Sequence, residues 1–125
     1  DVIIIDDMIS SGGSMIDTAK QLKKMNAKRV FICCTFGLFT DGLEAFDKAY
    51  EQCYFDRIIT TNLCYQPPEL KEKPYYQEAD MSKFIASIIN FMNHDASMSN
   101  IYTPTEKIHT ILAKYNNREE DALDG

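Results

Sequence analysis

The stretch Asp1–Ser14, DVIIIDDMISSGGS, decides the reading of this chain. Four apolar β-formers, Val2 to Ile5, run into two adjacent carboxylates, Asp6 and Asp7. Ser10-Ser11-Gly12-Gly13-Ser14 follows, and then a helical pattern begins. A continuous Val/Ile run predicts a strand buried on both faces, which belongs to a parallel sheet covered by helices. Open parallel sheets bind ligands at the carboxyl ends of their strands, so Asp6, Asp7 and the loop are expected at that end.

The residue types of the loop set its chemistry. Gly12 and Gly13 let the backbone approach a ligand closely. The N–H groups from about Ser11 to Ser14 then face outward from the start of a helix whose dipole favours an anion. Ser10, Ser11 and Ser14 add hydroxyls around the same point. Together these residues describe a cup for a monophosphate. Ionised Asp6 and Asp7 can only accept hydrogen bonds or bind a cation. The expected partner therefore offers a phosphate to the loop, and hydroxyls or a magnesium ion to the aspartates. Ribose 5-phosphate has that layout. A Walker loop is excluded because Ser14 and Met15, not Lys, follow Gly13, and the G-x-G-x-x-G fingerprint is missing. The plainer reading is a turn with an N-cap Ser. Four features in register favour the cup: strand, paired Asp, small-residue loop and helix start.

Val2 to Ser14 resembles the phosphoribosyl-pyrophosphate signature of the type I phosphoribosyltransferase fold. A second stretch, Ala27-Lys28-Arg29-Val30 leading to Cys34-Thr35-Phe36-Gly37-Leu38-Phe39, resembles the segment that follows in ribose-phosphate pyrophosphokinase, also called phosphoribosyl pyrophosphate synthetase. That family usually has His where Phe36 stands, and often Asp at Ser10 and Thr at Ser11 and Ser14. Weaker likeness runs through Arg57 to Asn62 and from Ala79 to about Tyr102. The resemblance implies an α/β fold: three layers, a mostly parallel sheet with flanking helices, present here as a partial domain over 1–102. An amphipathic helix and acidic tail follow over 103–125.

Length and composition bound the answer. The 125 residues suffice for one modest core, and 45% apolar with 26% charged residues is ordinary for a globular chain. The opening residue is not Met and lies inside a strand, so the chain is read as a piece of a larger protein. A net charge of −6 argues against a nucleic-acid surface. Cys33, Cys34, Cys53 and Cys64 show no C-x-x-C spacing and are expected as reduced structural thiols of a cytoplasmic protein. No stretch matches a signal peptide or a membrane span of about 20 apolar residues.

Downstream, Met15, Ile16, Ala19 and Leu22 predict a helix with Lys23 and Lys24 in its last turn and Asn26 in a left-handed end position. Arg29–Thr35 predicts a second strand, parallel to the first through a right-handed crossover. Leu43, Phe46 and Tyr50 predict a short helix capped by Thr40 or Asp41. Arg57–Asn62 predicts a third strand. Pro67, Pro68 and Pro74 bracket a stretch that cannot hold a long helix, and Pro74–Gln77 reads as a short edge strand. Asp80–Met92 predicts a helix whose Met81, Phe84, Ile85, Ile88, Ile89 and Met92 pack on the sheet, with His94 at its end. Thr103, Pro104 and Glu106 predict a last helix with Ile108, Ile111, Leu112 and Tyr115 on one face, and Arg118–Gly125 is expected to fray.

The resemblance implies an enzyme that moves a diphosphate group from ATP to ribose 5-phosphate, with Mg²⁺, in a cytoplasmic homo-oligomer without nucleic-acid or membrane partners. It assigns the ribose-phosphate site to Asp6, Ser10, Ser11, Gly12, Gly13 and Ser14, and Asp7 is added here. The family's ATP segments precede this stretch, so the 125 residues alone are expected to be inactive and most metal ligands to lie elsewhere. Two alternatives are a phosphoribosyltransferase, which shares only the first motif, and a non-catalytic synthetase-like subunit.

Overall fold

A computed structural model describes residues 1–94 and 105–123. By its internal contacts the chain divides into two units, Asp1–Ser82 and Lys83–Gly125. The first holds four strands: β1 (Val2–Ile9), β2 (Val30–Gly37), β3 (Arg57–Thr61) and β4 (Tyr76–Ala79). Between them run α1 (Gly13–Lys24), α2 (Glu44–Glu51) and the single turn α3 (Pro68–Lys71). All three strand pairs are parallel, in the order β1-β2-β3-β4. Each crossover steps in the same direction, so a common right hand puts α1, α2 and α3 on one face of the sheet.

That face is the core. Val30, Ile32, Cys34, Ile58 and Thr60 alternate inward and are buried, together with Met15 and Ala19 of α1 and Phe46 and Ala49 of α2. Tyr75 and Phe55 meet edge to face at 5.4 Å between ring centres, and Tyr50 lies against both. Such aromatic pairs add about 1 kcal/mol each beyond their buried area. Thr60, the buried hydroxyl of this face, has its Oγ1 2.8 Å from the Tyr76 hydroxyl.

Both larger helices end the same way. After α1, Asn26 takes φ 66°, its N–H donates to the Lys23 carbonyl, and the Ala27 N–H reaches back to Leu22. After α2, Cys53 takes φ 57°, its N–H donates to Tyr50, and the Tyr54 N–H reaches Ala49. Both are Schellman ends, which supply donors to carbonyls the helix leaves free. Asn suits the left-handed position. Cys does not.

Several expectations are corrected. β1 is not buried on both faces: it ends the strand order, and Ile3 and Ile5 are 60% and 81% exposed. The alternation of a strand sends them to the face opposite α1. Neither Thr40 nor Asp41 caps α2, whose N-cap is Leu43 with no side-chain bond. Thr40 bonds Asp41 instead.

In the second unit, α4 (Ser82–Asn93) forms as expected, but none of its residues is buried, and Phe84, Ile85, Ile89 and Met92 are exposed. His94 ends it, with Nδ1 2.8 Å from the Asn90 carbonyl. α5 (Thr105–Leu123) exposes Ile108, Ile111, Leu112 and Tyr115, and it stays helical through Leu123 where fraying was expected. The expected N-cap Thr103 and first helical residue Pro104, and the part of the weaker likeness from 95 to about 102, lie outside the described residues.

Candidate functional site

Parallel pairing gathers the carboxyl ends of β1, β2 and β3, and the loops after them, at one end of the sheet. Asp6 pairs in register with Cys34, and Cys34 with Thr60, so the three form one row. β1 continues to Ile9, so both aspartates stand within the strand rather than after it. Both are exposed, and Asp6 Oδ1 accepts the Asp7 N–H at 2.8 Å.

Neighbouring strand residues face opposite sides, so Asp6 shares the side of Cys34 and Thr60, and Asp7 that of Ile5. Asp6 borders a shallow cavity of about 240 Å³ whose wall includes Ile5, Thr35, Thr61 and Ala79. Asp7 is not among its lining residues. The Thr61 hydroxyl donates to the Thr35 carbonyl at 2.6 Å, which joins β2 to β3 beside the opening. Under Asp6, burial pushes the Cys34 thiol up to about 11, only partly offset by a backbone bond with Ile9. At neutral pH it is a protonated filler and not a nucleophile.

The loop after β1 separates its two glycines. Gly12 is buried, takes φ 84° and is the N-cap of α1. Gly13 is exposed, and a methyl built on it meets nothing within 4 Å. The first helical bond runs from the Ile16 N–H to the Gly12 carbonyl at 3.0 Å. The amides of Gly13, Ser14 and Met15 precede it and have no intrahelical acceptor. No side chain caps this end. Ser10, Ser11 and Ser14 are exposed around it. Amides without intrahelical acceptors, the positive end of a helix dipole and three hydroxyls are groups that attract an anion.

A second loop, after β2, holds the first in place. Leu38 N–H donates to the Ile9 carbonyl at 2.8 Å and Thr40 N–H to the Ser10 carbonyl at 3.1 Å, and the Ser10 and Thr40 hydroxyl oxygens lie 3.4 Å apart. Sequence reasoning left Thr40 out of the site. The parallel crossover from β1 to β2 was the available signal, because it puts these two loops side by side. Phe39 is core and Phe36 is 40% exposed. Thr60 and Thr61, at the end of β3, are buried and half-buried.

Among the described residues no group of three His, Cys, Asp or Glu side chains could hold a metal ion. Magnesium commonly takes only one or two carboxylates together with waters and substrate phosphates, a part that Asp6 or Asp7 has the chemistry to fill. No described helix is long and apolar enough to cross a membrane.

Comparison with known proteins bears on the family and the fold. The model of the phosphoribosyl synthetase-associated domain matches residues 2–103. The ribose-phosphate pyrophosphokinase of Mycoplasma pneumoniae is 31% identical over 102 residues, which cover 81% of this chain and 31% of that protein. The Pyrococcus furiosus protein of the same name is 39% identical over 61 residues, 48% of this chain and 22% of its own length. In fold, the crystal structure of phosphoribosylpyrophosphate synthetase from Mycobacterium smegmatis superposes with a TM-score of 0.65 at 23% identity, covering 77% of this chain and 31% of that one. The chain thus spans about a third or less of the relatives it matches. With the two motifs on β1 and β2 and a family match over residues 2–103, the chain belongs to the phosphoribosylpyrophosphate synthetase family.

Proposed function

We propose that this chain supplies the ribose 5-phosphate end of an enzyme that transfers diphosphate from ATP to that sugar, making phosphoribosyl pyrophosphate for nucleotide biosynthesis. The observation that carries the reading is the uncapped start of α1 at exposed Gly13, with Ser10, Ser11 and Ser14 around it and Asp6 on the adjoining strand. The 5-phosphate accepts from the loop amides and serine hydroxyls. Asp6 accepts from the ring hydroxyls, and the same role is extended to Asp7.

These residues position the substrate. Fixing the phosphate and the ring orients the anomeric hydroxyl for in-line attack, and orientation of this kind is a large part of phosphoryl-transfer catalysis. None of the seven is a base for the reaction. ATP enters with Mg²⁺, whose contribution is to neutralise charge on the transferred phosphates. The two aspartates fit it at most as partial ligands, so the remaining ligands come from the nucleotide and from residues beyond those described. The 125 residues bind without turning over, as a soluble cytoplasmic protein whose complete form is a homo-oligomer.

Titration calorimetry on the 125-residue chain tests this. Ribose 5-phosphate is expected to bind more tightly than ribose or inorganic phosphate alone, and Asp6→Ala to weaken it by about tenfold or more, about 1.4 kcal/mol. No heat with ribose 5-phosphate, or equal affinity in the variant, would contradict the assignment.

A further inference from the structure

The anion loop rests on something outside itself. A Cβ built on Gly12 would lie 1.9 Å from Cζ of Phe46, well inside contact distance, so the Phe46 ring already occupies the space under that glycine. Phe46 belongs to α2, thirty-four positions along the chain, and is fully buried. Its ring meets Phe39 edge to face, with centroids 5.1 Å apart and planes at 74°. Phe39 in turn covers a second glycine: a Cβ on Gly37 would lie 2.6 Å from Cε2 of Phe39 and 2.8 Å from Cγ2 of Thr60. Two rings are therefore clamped between two glycines, one at the end of β2 and one in the anion loop.

The backbone around the clamp is unusual in the same places. Gly12 has φ 84° and Phe39 has φ 48°, the latter a conformation that bulky side chains rarely adopt. The Phe39 carbonyl accepts the Gly42 N–H at 3.0 Å, and the Ile9 carbonyl accepts from both Leu38 and Phe39. A contorted loop persists where its surroundings over-determine it. Here the surroundings are the two rings.

We infer that Phe46 is a positioning residue for the anion site: through Gly12 it sets the direction in which the amides of Gly13, Ser14 and Met15 face, although it contacts no ligand itself. This rests on the reading of the loop as a phosphate cup. Gly12 sits at the hinge between β1 and α1, so a small change in its φ swings every amide after it. A flat ring pressed on the glycine leaves its backbone no room to swing towards α2. The same contact bars any side chain at Gly12. A ring that only filled the core would have no reason to respond to a ligand on the far side of the loop.

The test uses the 125-residue chain and two probes, ribose 5-phosphate and inorganic phosphate. Phe46→Leu and the longer, unbranched Phe46→Met are expected to keep the fold, seen as unchanged amide shifts in β2 and β3, while weakening both probes about tenfold for Leu and less for Met. In the unaltered chain, the Phe46 ring proton resonances should move in step with the Gly12 amide as either probe is added. That readout needs no variant to fold, and the affinities of the folded variants separate a positioning ring from one that only fills the core. Static ring resonances on saturation, or folded variants with unaltered affinity, overturn the inference while leaving the cup in place. If the unaltered chain binds neither probe, the cup reading fails first and this inference falls with it.

Discussion

Gly12 and Gly13 are neighbours with opposite needs: a methyl on Gly12 would enter the Phe46 ring, whereas a methyl on Gly13 would project into open space. Gly12 is a requirement of the fold, both for its φ of 84° and for the ring beneath it. Gly13 is not. Gly12→Ala is therefore expected to destabilise the chain by about 2 kcal/mol or more, from overpacking and backbone strain together. Gly13→Ala should leave urea stability equal or higher by up to about 1 kcal/mol, since alanine suits a helix better. Its added methyl stands where a phosphate would approach, so it should weaken ribose 5-phosphate binding. Comparable unfolding midpoints for the two variants would contradict this division.

The buried pair of Thr60 and Tyr76 makes a second asymmetric prediction. Tyr76→Phe leaves the Thr60 hydroxyl its alternative acceptor, the Thr61 carbonyl at 3.3 Å. Thr60→Val strands the Tyr76 hydroxyl in the core. An unsatisfied buried hydroxyl costs about 1–3 kcal/mol, so Thr60→Val should be the more damaging change in chemical denaturation.

Cys53 closes α2 in a left-handed conformation that a side chain disfavours by about 1 kcal/mol. Its side chain is exposed, so nothing in the core depends on it. Cys53→Gly is expected to raise unfolding stability by about that amount. An unchanged or lower midpoint would mean that the backbone there is held by something other than the helix end.

Acid sensitivity should come from Asp47 and Asp56. For both, burial opposes ionisation but is outweighed. Lys73 and the Tyr75 hydroxyl hold the Asp47 carboxyl below its ordinary value, and the Val30 N–H and Lys23 do the same for Asp56. A carboxyl lowered in the folded state binds its proton more readily when unfolded. Its contribution is therefore complete above the unfolded value, near pH 4, and is lost as pH falls through the folded value. Urea midpoints are expected to hold between pH 7 and pH 5 and to drop below about pH 4. Asp47→Asn and Asp56→Asn should each flatten that drop while lowering the midpoint at pH 7.

Much of this molecule was legible in local pattern. The β-α-β-α-β order, the helix end at Asn26 and the short edge strand after Pro74 follow from residue type and spacing, because each is set by neighbours in sequence. The burial of β1 was misread for a physical reason. A Val/Ile run reports what a strand can tolerate, and Ile5 at 81% exposure shows that it does not report which neighbours are present. The separate duties of Gly12 and Gly13 were equally hidden, since the ring that distinguishes them arrives from α2. Thr40 was read as a helix cap and not as a neighbour of the first loop for the same reason: its tie to Ser10 exists only once two loops distant in sequence are side by side.

The most direct measurement is a map of backbone amide shifts in the 125-residue chain as ribose 5-phosphate is added. The account predicts saturable shifts concentrated at Gly12 to Met15 and at Asp6 and Asp7, with smaller ones at Thr40, and none around Asp47 and Lys73 on the far side of α2. Shifts that saturate elsewhere while those at Gly13 and Ser14 stay fixed would contradict it.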